Sequence, residues 1–322
     1  CRAKYSLATL YFKLKKKGAK KLQANPKYYY DEKTNSFCIE NYQLSKPFSS
    51  FLPGIAGIFG IPLWCFYVNR GQCIVSFGTK NKDGAILEFL PADRAYRLAS
   101  THGFRTFLKL NKNLFYEPFQ TENLLNFAKS KMSIFADHLE ICEENSNLGI
   151  RAEVRYYTLA NKNVAGLVRE LKIINVSERP VDIEALDGLA LIVPYGKNDF
   201  ALKNMSRTSE AWNFVENLDK KVPYFRFHSS AEDTTEVVEI KEGNFFVSFD
   251  NTHGSFERCD VVIDPKIVFG ISSEIAKPYE FIFSDRFDIS NQVFANKTCC
   301  AFAYAKRTLK PQQALSFYSI IG

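Results

Sequence analysis

Val181-Asp182-Ile183-Glu184-Ala185 places apolar side chains at every second position and carboxylates between them. That is the pattern of a strand with one face in a core and the other in water. Outward from it the chain keeps the same habit. Short apolar or alternating runs recur at 151–159, 166–176, 181–186, 189–193, 224–228, 245–249, 261–263, 281–283, 298–305 and 314–321, separated by Gly, Asn, Asp, Lys and Pro. Upstream, 72–77 and 85–90 read as a hairpin across a loop ending in Asp83-Gly84, a pair that tolerates positive φ. Only 122–130 and 209–218 have helical spacing. The reading is an all-β protein: a large two-sheet antiparallel β-sandwich with a few short helices, and no repeat at solenoid period.

Composition agrees. Of 322 residues, 46% are apolar and 15% aromatic, ample material for a core, and the 29 Phe and 16 Tyr favour pleated, half-buried surfaces. A formal charge of +7 suggests nucleic acid until it is located. Residues 1–27 hold nine basic residues and no acidic one; removing those nine from 42 leaves 33 basic against 35 acidic residues. The bulk of the chain has no broad basic field for a phosphate backbone, so nucleic acid is excluded as its partner. Residues 1–35 read as a basic N-terminal segment, an edge strand or tail, and 36–322 as the sandwich.

Eight Cys are too few and scattered for a disulfide framework, and most sit in apolar runs. Buried thiols in a reducing, cytoplasmic compartment are the simpler expectation. Cys-x-x-Cys and His-x-x-x-His are absent, so no metal site is expected. The stretch 47–69 is uncharged and 23 residues long, enough to span a membrane, but Pro47, Pro53, Pro62, Gly54, Gly57 and Gly60 break it repeatedly. A buried loop leading into a core strand is expected there instead. The chain begins at Cys1 without a methionine or a signal-peptide pattern, which suggests a fragment or a processed chain.

Nucleophile elbows, phosphate loops and zinc signatures are missing. His102, His138, His228 and His253 are dispersed, with His228 expected on a sheet surface. A carboxylate pair for glycoside chemistry among Asp83, Glu88, Asp93, Asp182, Glu184 and Asp187 is not legible, because sequence gives no separation between them. The informative density lies at 51–105, where Trp64 and Tyr67 are interleaved with Asn69, Arg70, Gln72, Asp93 and Arg94. Rings that cover apolar sugar faces, beside groups that bond hydroxyls, suit carbohydrate recognition.

That stretch, together with Ala165-Gly-Leu-Val-Arg169-Glu-Leu171, Ile174-Asn175-Val-Ser177, Ala185-Leu-Asp187-Gly-Leu-Ala190, Val193-Pro-Tyr-Gly196 and Leu202-Lys-Asn-Met-Ser-Arg207-Thr-Ser-Glu-Ala-Trp212, resembles cellobiose-phosphorylase-type glycoside hydrolases. The likeness extends from about residue 40 to Gly322 and leans toward the relatives that act on β-1,3-glucan oligosaccharides. It implies a galactose-mutarotase-like sandwich, the non-catalytic N-terminal domain of an inverting phosphorylase that makes α-glucose 1-phosphate from glucan and phosphate. The run 309–322 resembles that domain's closing strand.

The resemblance further implies no catalytic residue, no metal and no cofactor in this chain, with inorganic phosphate bound by the parent enzyme outside it. Expected partners are the enzyme's own (α/α)6 barrel, a β-glucan oligosaccharide and a second copy in a homodimer. Any sugar contacts are expected at Trp64, Tyr67, Asn69, Arg70, Gln72, Asp93 and Arg94. A free-standing glucan-binding module is the alternative. A mutarotase-like epimerase is another, and it requires a His and a carboxylate set together in the groove.

Overall fold

The runs at 181–186 and 189–193 are one strand of twelve residues, Val181–Ile192 (β13), with a register shift between Leu189 and Ile192. It is the centre of the second layer of a β-sandwich. The computed structural model describes residues 25–322 apart from 127, 206, 231–234, 253 and 273. The calls on the Lys-rich start and on His253 therefore lie outside the described residues, except where the start reaches Lys27.

One layer is an eleven-stranded antiparallel sheet. Its path runs Lys27–Asp31 (β1), Ser36–Glu40 (β2), Lys129–Ile134 (β9), Leu139–Asn145 (β10), Ile150–Thr158 (β11), Leu167–Asn175 (β12), Ala314–Ile321 (β20), Asn244–Asp250 (β16), Tyr224–Phe227 (β15) and Asn213–Glu216 (β14), with Glu257–Arg258 (β17) beside β16. β1 is an edge strand, so the sheet begins at Lys27, ahead of the expected boundary at 36.

The facing layer is divided in two. Five strands run Asp260–Val262 (β18), Cys299–Leu309 (β19), β13, Phe104–Leu110 (β7) and Leu114–Tyr116 (β8); four more run Ser49–Phe51 (β3), Trp64–Val68 (β4), Ile74–Gly78 (β5) and Ala85–Leu87 (β6). Period-2 alternation explains the layering. Ile183, Ala185 and Leu189 face the large sheet, meeting a core that includes Val154, Leu171, Ile173 and Phe317. Leu186 and Ala190, on the opposite face of β13, are covered by Val268, Phe269 and Phe281 from two short helices, Pro265–Phe269 and Tyr279–Phe283.

Three local readings are corrected. The run 281–283 is not a strand but the end of a helical turn that drops Phe281 onto the outer face of the five-stranded sheet. The helices at 122–130 and 209–218 shrink to 3₁₀ turns at Thr121–Asn126 and Thr208–Trp212, because β9 and β14 claim the residues that follow. The loop before β4 is exposed rather than buried. Leu52, Ala56 and Leu63 pin it, while Ile58 is 90% exposed and Phe59 78%. No helix among the described residues is long and apolar enough to cross a membrane.

Candidate functional site

The longest helix among the described residues, Ala92–His102 (α1), was not expected from the sequence; its fully buried face is made of Ala95 and Ala99 rather than large apolar residues. Those alanines sit on Phe66, Val68, Val75 and Leu90 of the four-stranded sheet. The helix ends at Gly103, where a Cβ would lie 2.3 Å from the Ile74 carbonyl oxygen. Only glycine allows that approach. His102 is thereby held against the end of β6 and faces the chain that leaves β13.

Past β13, Val193 donates its amide to Ile86 O at 2.9 Å, and Pro194–Lys197 closes as a turn with Lys197 N bonded to Pro194 O at 3.2 Å. Gly196 sits in this turn at φ +90°, in the left-handed region. A short helix follows, Asp199–Asn204 (α2), capped by the Asn198 side chain. Asp199 fixes it to the hairpin loop through Lys82 at 2.9 Å. Next comes the 3₁₀ turn carrying Glu210, whose carboxylate accepts from the Thr298 hydroxyl.

These pieces enclose a cleft of about 480 Å³. Leu87, Leu191, Val193, Pro194 and Leu202 form apolar wall; Glu88, His102, Lys197, Arg207, Glu210 and Asn213 supply the polar lining. Glu88 Oε2 lies 4.0 Å from His102 Nε2. Two buried atoms at the cleft, His102 Nε2 and Asn213 Oδ1, find no hydrogen-bond partner. Lys197 is 7% exposed, yet no ion pair or hydrogen bond engages its ammonium among the described residues. Buried lysines are ordinarily paired, so this one stands out.

The electrostatics are perturbed in the same place. Burial, aided by the Arg94 charge, pushes His102 down to about 4, so the imidazole is neutral near pH 7. Burial raises the Glu88 carboxyl above its ordinary range, against the pull of Arg94, Lys203 and Lys197. Burial also lowers the Lys197 ammonium, with Glu210, Cys299 and Glu88 opposing. A cleft holding several such groups together is a functional-site candidate.

The seven residues expected at sugar do not form one site. Asn69 is buried, with Nδ2 donating to Ser45 Oγ at 2.5 Å and to Lys46 O at 3.0 Å, and Oδ1 accepting from Phe48 N at 3.1 Å. Tyr67 is buried in the core. Gln72 is buried between the sheets, bonded to Thr106 and to Arg169. Arg70 stacks 4.4 Å over the Tyr96 ring and donates to Asn69 O and Ser45 O. The partly exposed Trp64 meets Phe89 edge-on at 5.7 Å, and its Nε1 has no partner. Asp93 and Arg94 are exposed on α1, where Asp93 pairs with Arg97 at 2.7 Å.

Only Arg94 bears on the cleft, through its charge on Glu88 and His102. Lys197, Asn213 and Thr298 carried no signal in the sequence. Two other histidines stay apart from the cleft: His138 pairs with Asp137 at 2.5 Å, and His228 is exposed against Phe214. Among the described residues seven cysteines are free thiols, and no group of three or more metal-ligating side chains occurs. No protein-family model matches the chain, and no curated protein matches it in sequence.

Proposed function

We propose that this chain is a carbohydrate-handling β-sandwich, the non-catalytic N-terminal domain of an inverting β-glucan phosphorylase. One observation carries the reading: motifs quoted from distant parts of the sequence converge on two constellations. Glu88, Val193-Pro194, Leu202, Arg207 and Glu210 line the cleft, and Gln72, Arg169 and Asp187 meet in one buried network. A cleft with apolar walls and convergent polar groups suits a pyranose, whose apolar face packs on Leu and Pro while hydroxyls bond Glu88, His102 and Asn213.

The reading places the cytoplasmic parent's phosphate and acid chemistry in a barrel outside this chain, with the sandwich packed against that barrel and against a second copy. Titration calorimetry of the purified chain with β-1,3-gluco-oligosaccharides, beside a phosphate-dependent assay for glucose 1-phosphate, is the test. Binding without turnover is expected; turnover by this chain alone refutes it. Glu88→Gln and Asn213→Ala should weaken binding. Arg70→Ala and Asp93→Ala, which alter groups engaged elsewhere, should not.

A second reading, a mutarotase-like epimerase, is favoured by the approach of Glu88 to His102, the acid–base couple it requires. Its test is anomer equilibration of α-D-glucose followed by polarimetry, where a rate above buffer that disappears in His102→Gln would support it.

A further inference from the structure

We infer that the cleft between α1 and the 193–213 segment is a site for a phosphate group, with Lys197 as its buried anchor and Arg207 as a second cation at the rim. Both line the cleft, and neither is engaged in an ion pair among the described residues. In two other grooves part of the positive charge is compensated within the protein. Across the outer face of the large sheet Arg155 faces Glu140 at 2.6 Å and Arg151 faces Glu144 at 2.8 Å; below β13 Lys109 faces Glu184 at 3.0 Å.

A lysine that is 7% exposed and has no counter-ion in contact with its ammonium is costly, and fold stability alone gives no reason to keep it. A ligand anion would supply the missing charge. The carboxylates in the cleft, Glu210 and Glu88, act on the Lys197 ammonium through their charge, but neither is in contact with it; Glu210 accepts from Thr298, and burial raises the Glu88 carboxyl. Lys203 is paired with Asp199 at 2.6 Å, so the cations left to meet an anion of compact shape are Lys197 and Arg207, with Arg94 acting on the cleft through its charge. Neutral His102 and the free Asn213 Oδ1 then remain for hydroxyl groups, and the apolar wall for a ring.

The same chemistry is presented by inorganic phosphate and by a sugar phosphomonoester. The inference stands on the cleft alone and would survive failure of the phosphorylase reading. The experiment is a calorimetric titration of the whole chain with inorganic phosphate, α-glucose 1-phosphate and uncharged methyl glucoside, repeated for Lys197→Met and Arg207→Gln. Expected are saturable binding of at least one phosphate ligand and a tenfold or greater loss in Lys197→Met. Arg207→Gln, at an exposed position where folding is not at risk, should lose a smaller factor.

Tighter binding of the ester than of inorganic phosphate would assign the site to a sugar phosphate; equal binding would assign it to phosphate itself. Absence of binding for both phosphate ligands, or unchanged affinity in both variants, overturns the inference. A methyl glucoside affinity equal to that of the ester overturns it as well, and leaves gluco-oligosaccharide binding as a separate question.

Discussion

Arg169 on the large sheet and Asp187 on the facing sheet meet at 2.7 Å in the middle of the sandwich, both side chains without solvent exposure. Nε bonds the second carboxylate oxygen at 3.0 Å, and the guanidinium also reaches the Tyr156 hydroxyl and Gln72 Oε1. Thr106 Oγ1 donates to Asp187 Oδ1 at 2.7 Å, and the guanidinium lies 4.9 Å from the centre of the Phe104 ring. Such a pair fixes the relative placement of two sheets, because the guanidinium and the carboxylate are bonded through several groups from both layers at once.

Breaking the pair from one side leaves a buried charge alone. Asp187→Asn should therefore cost about 3–5 kcal/mol, read as a lower urea midpoint at unchanged slope. The double variant Arg169→Met/Asp187→Leu should recover part of that loss and no more, since Gln72, Thr106 and Tyr156 keep polar atoms that lose their partners. A single variant within 1 kcal/mol of the parent, by the same order-of-magnitude reckoning, would show the network to be dispensable.

Stability should fall on acidification partly through His102. Its folded pKa, about 4, lies below the unfolded value, so between roughly pH 6.5 and 4 the unfolded chain binds a proton that the folded chain refuses. The contribution is present above pH 6.5 and is lost as pH drops across that window, by on the order of 3 kcal/mol. His102→Gln removes this dependence. Urea unfolding at pH 7.5 and pH 4.5 should show the gap between parent and variant changing by a large part of that amount; parallel profiles would contradict the burial argument.

Glu88 has the opposite sign. Its folded carboxyl titrates above its unfolded value, so its ionised form weakens the fold as pH rises through the raised pKa. Glu88→Gln should gain stability at pH 7, by under about 1 kcal/mol because the carboxyl keeps contact with solvent, and gain nothing at pH 4. If the same variant binds ligand less well, the cleft trades stability for function.

The strands most legible in the sequence were those with one wet face, such as β11, β12 and β20, whose observed bounds fall within one to two residues of the alternation. What escaped has physical causes. α1 is amphipathic, but its fully buried face is only Ala95 and Ala99, with Tyr96 and Leu98 partly buried, so no large apolar core residue marks it. Phe281 and its neighbours are apolar in a row, which a single helical turn satisfies as well as a strand. At the cleft, Glu88 and His102 were visible as residue types but not as a pair, since only the close approach at Gly103 brings them together. Lys197 reads as an ordinary surface lysine until the turn at Gly196 is seen to bury it.

The loop before β4 separates exposure from apolar character. Ile58 and Phe59 stand in solvent while Leu52, Ala56 and Leu63 hold the loop to the core, and Asn161 packs against Gly57 and Gly60. A side chain that is exposed in the folded state gains little from folding, whatever its hydrophobicity. Ile58→Ser/Phe59→Ser should therefore change unfolding free energy by no more than about 0.5 kcal/mol. Phe77, fully buried and stacked on Phe104 at 6.1 Å, provides the contrast: Phe77→Ala should cost about 3–5 kcal/mol. Chemical denaturation of both variants decides it. A large loss in the loop variant would mean that the two exposed side chains pack against the body of the protein in solution.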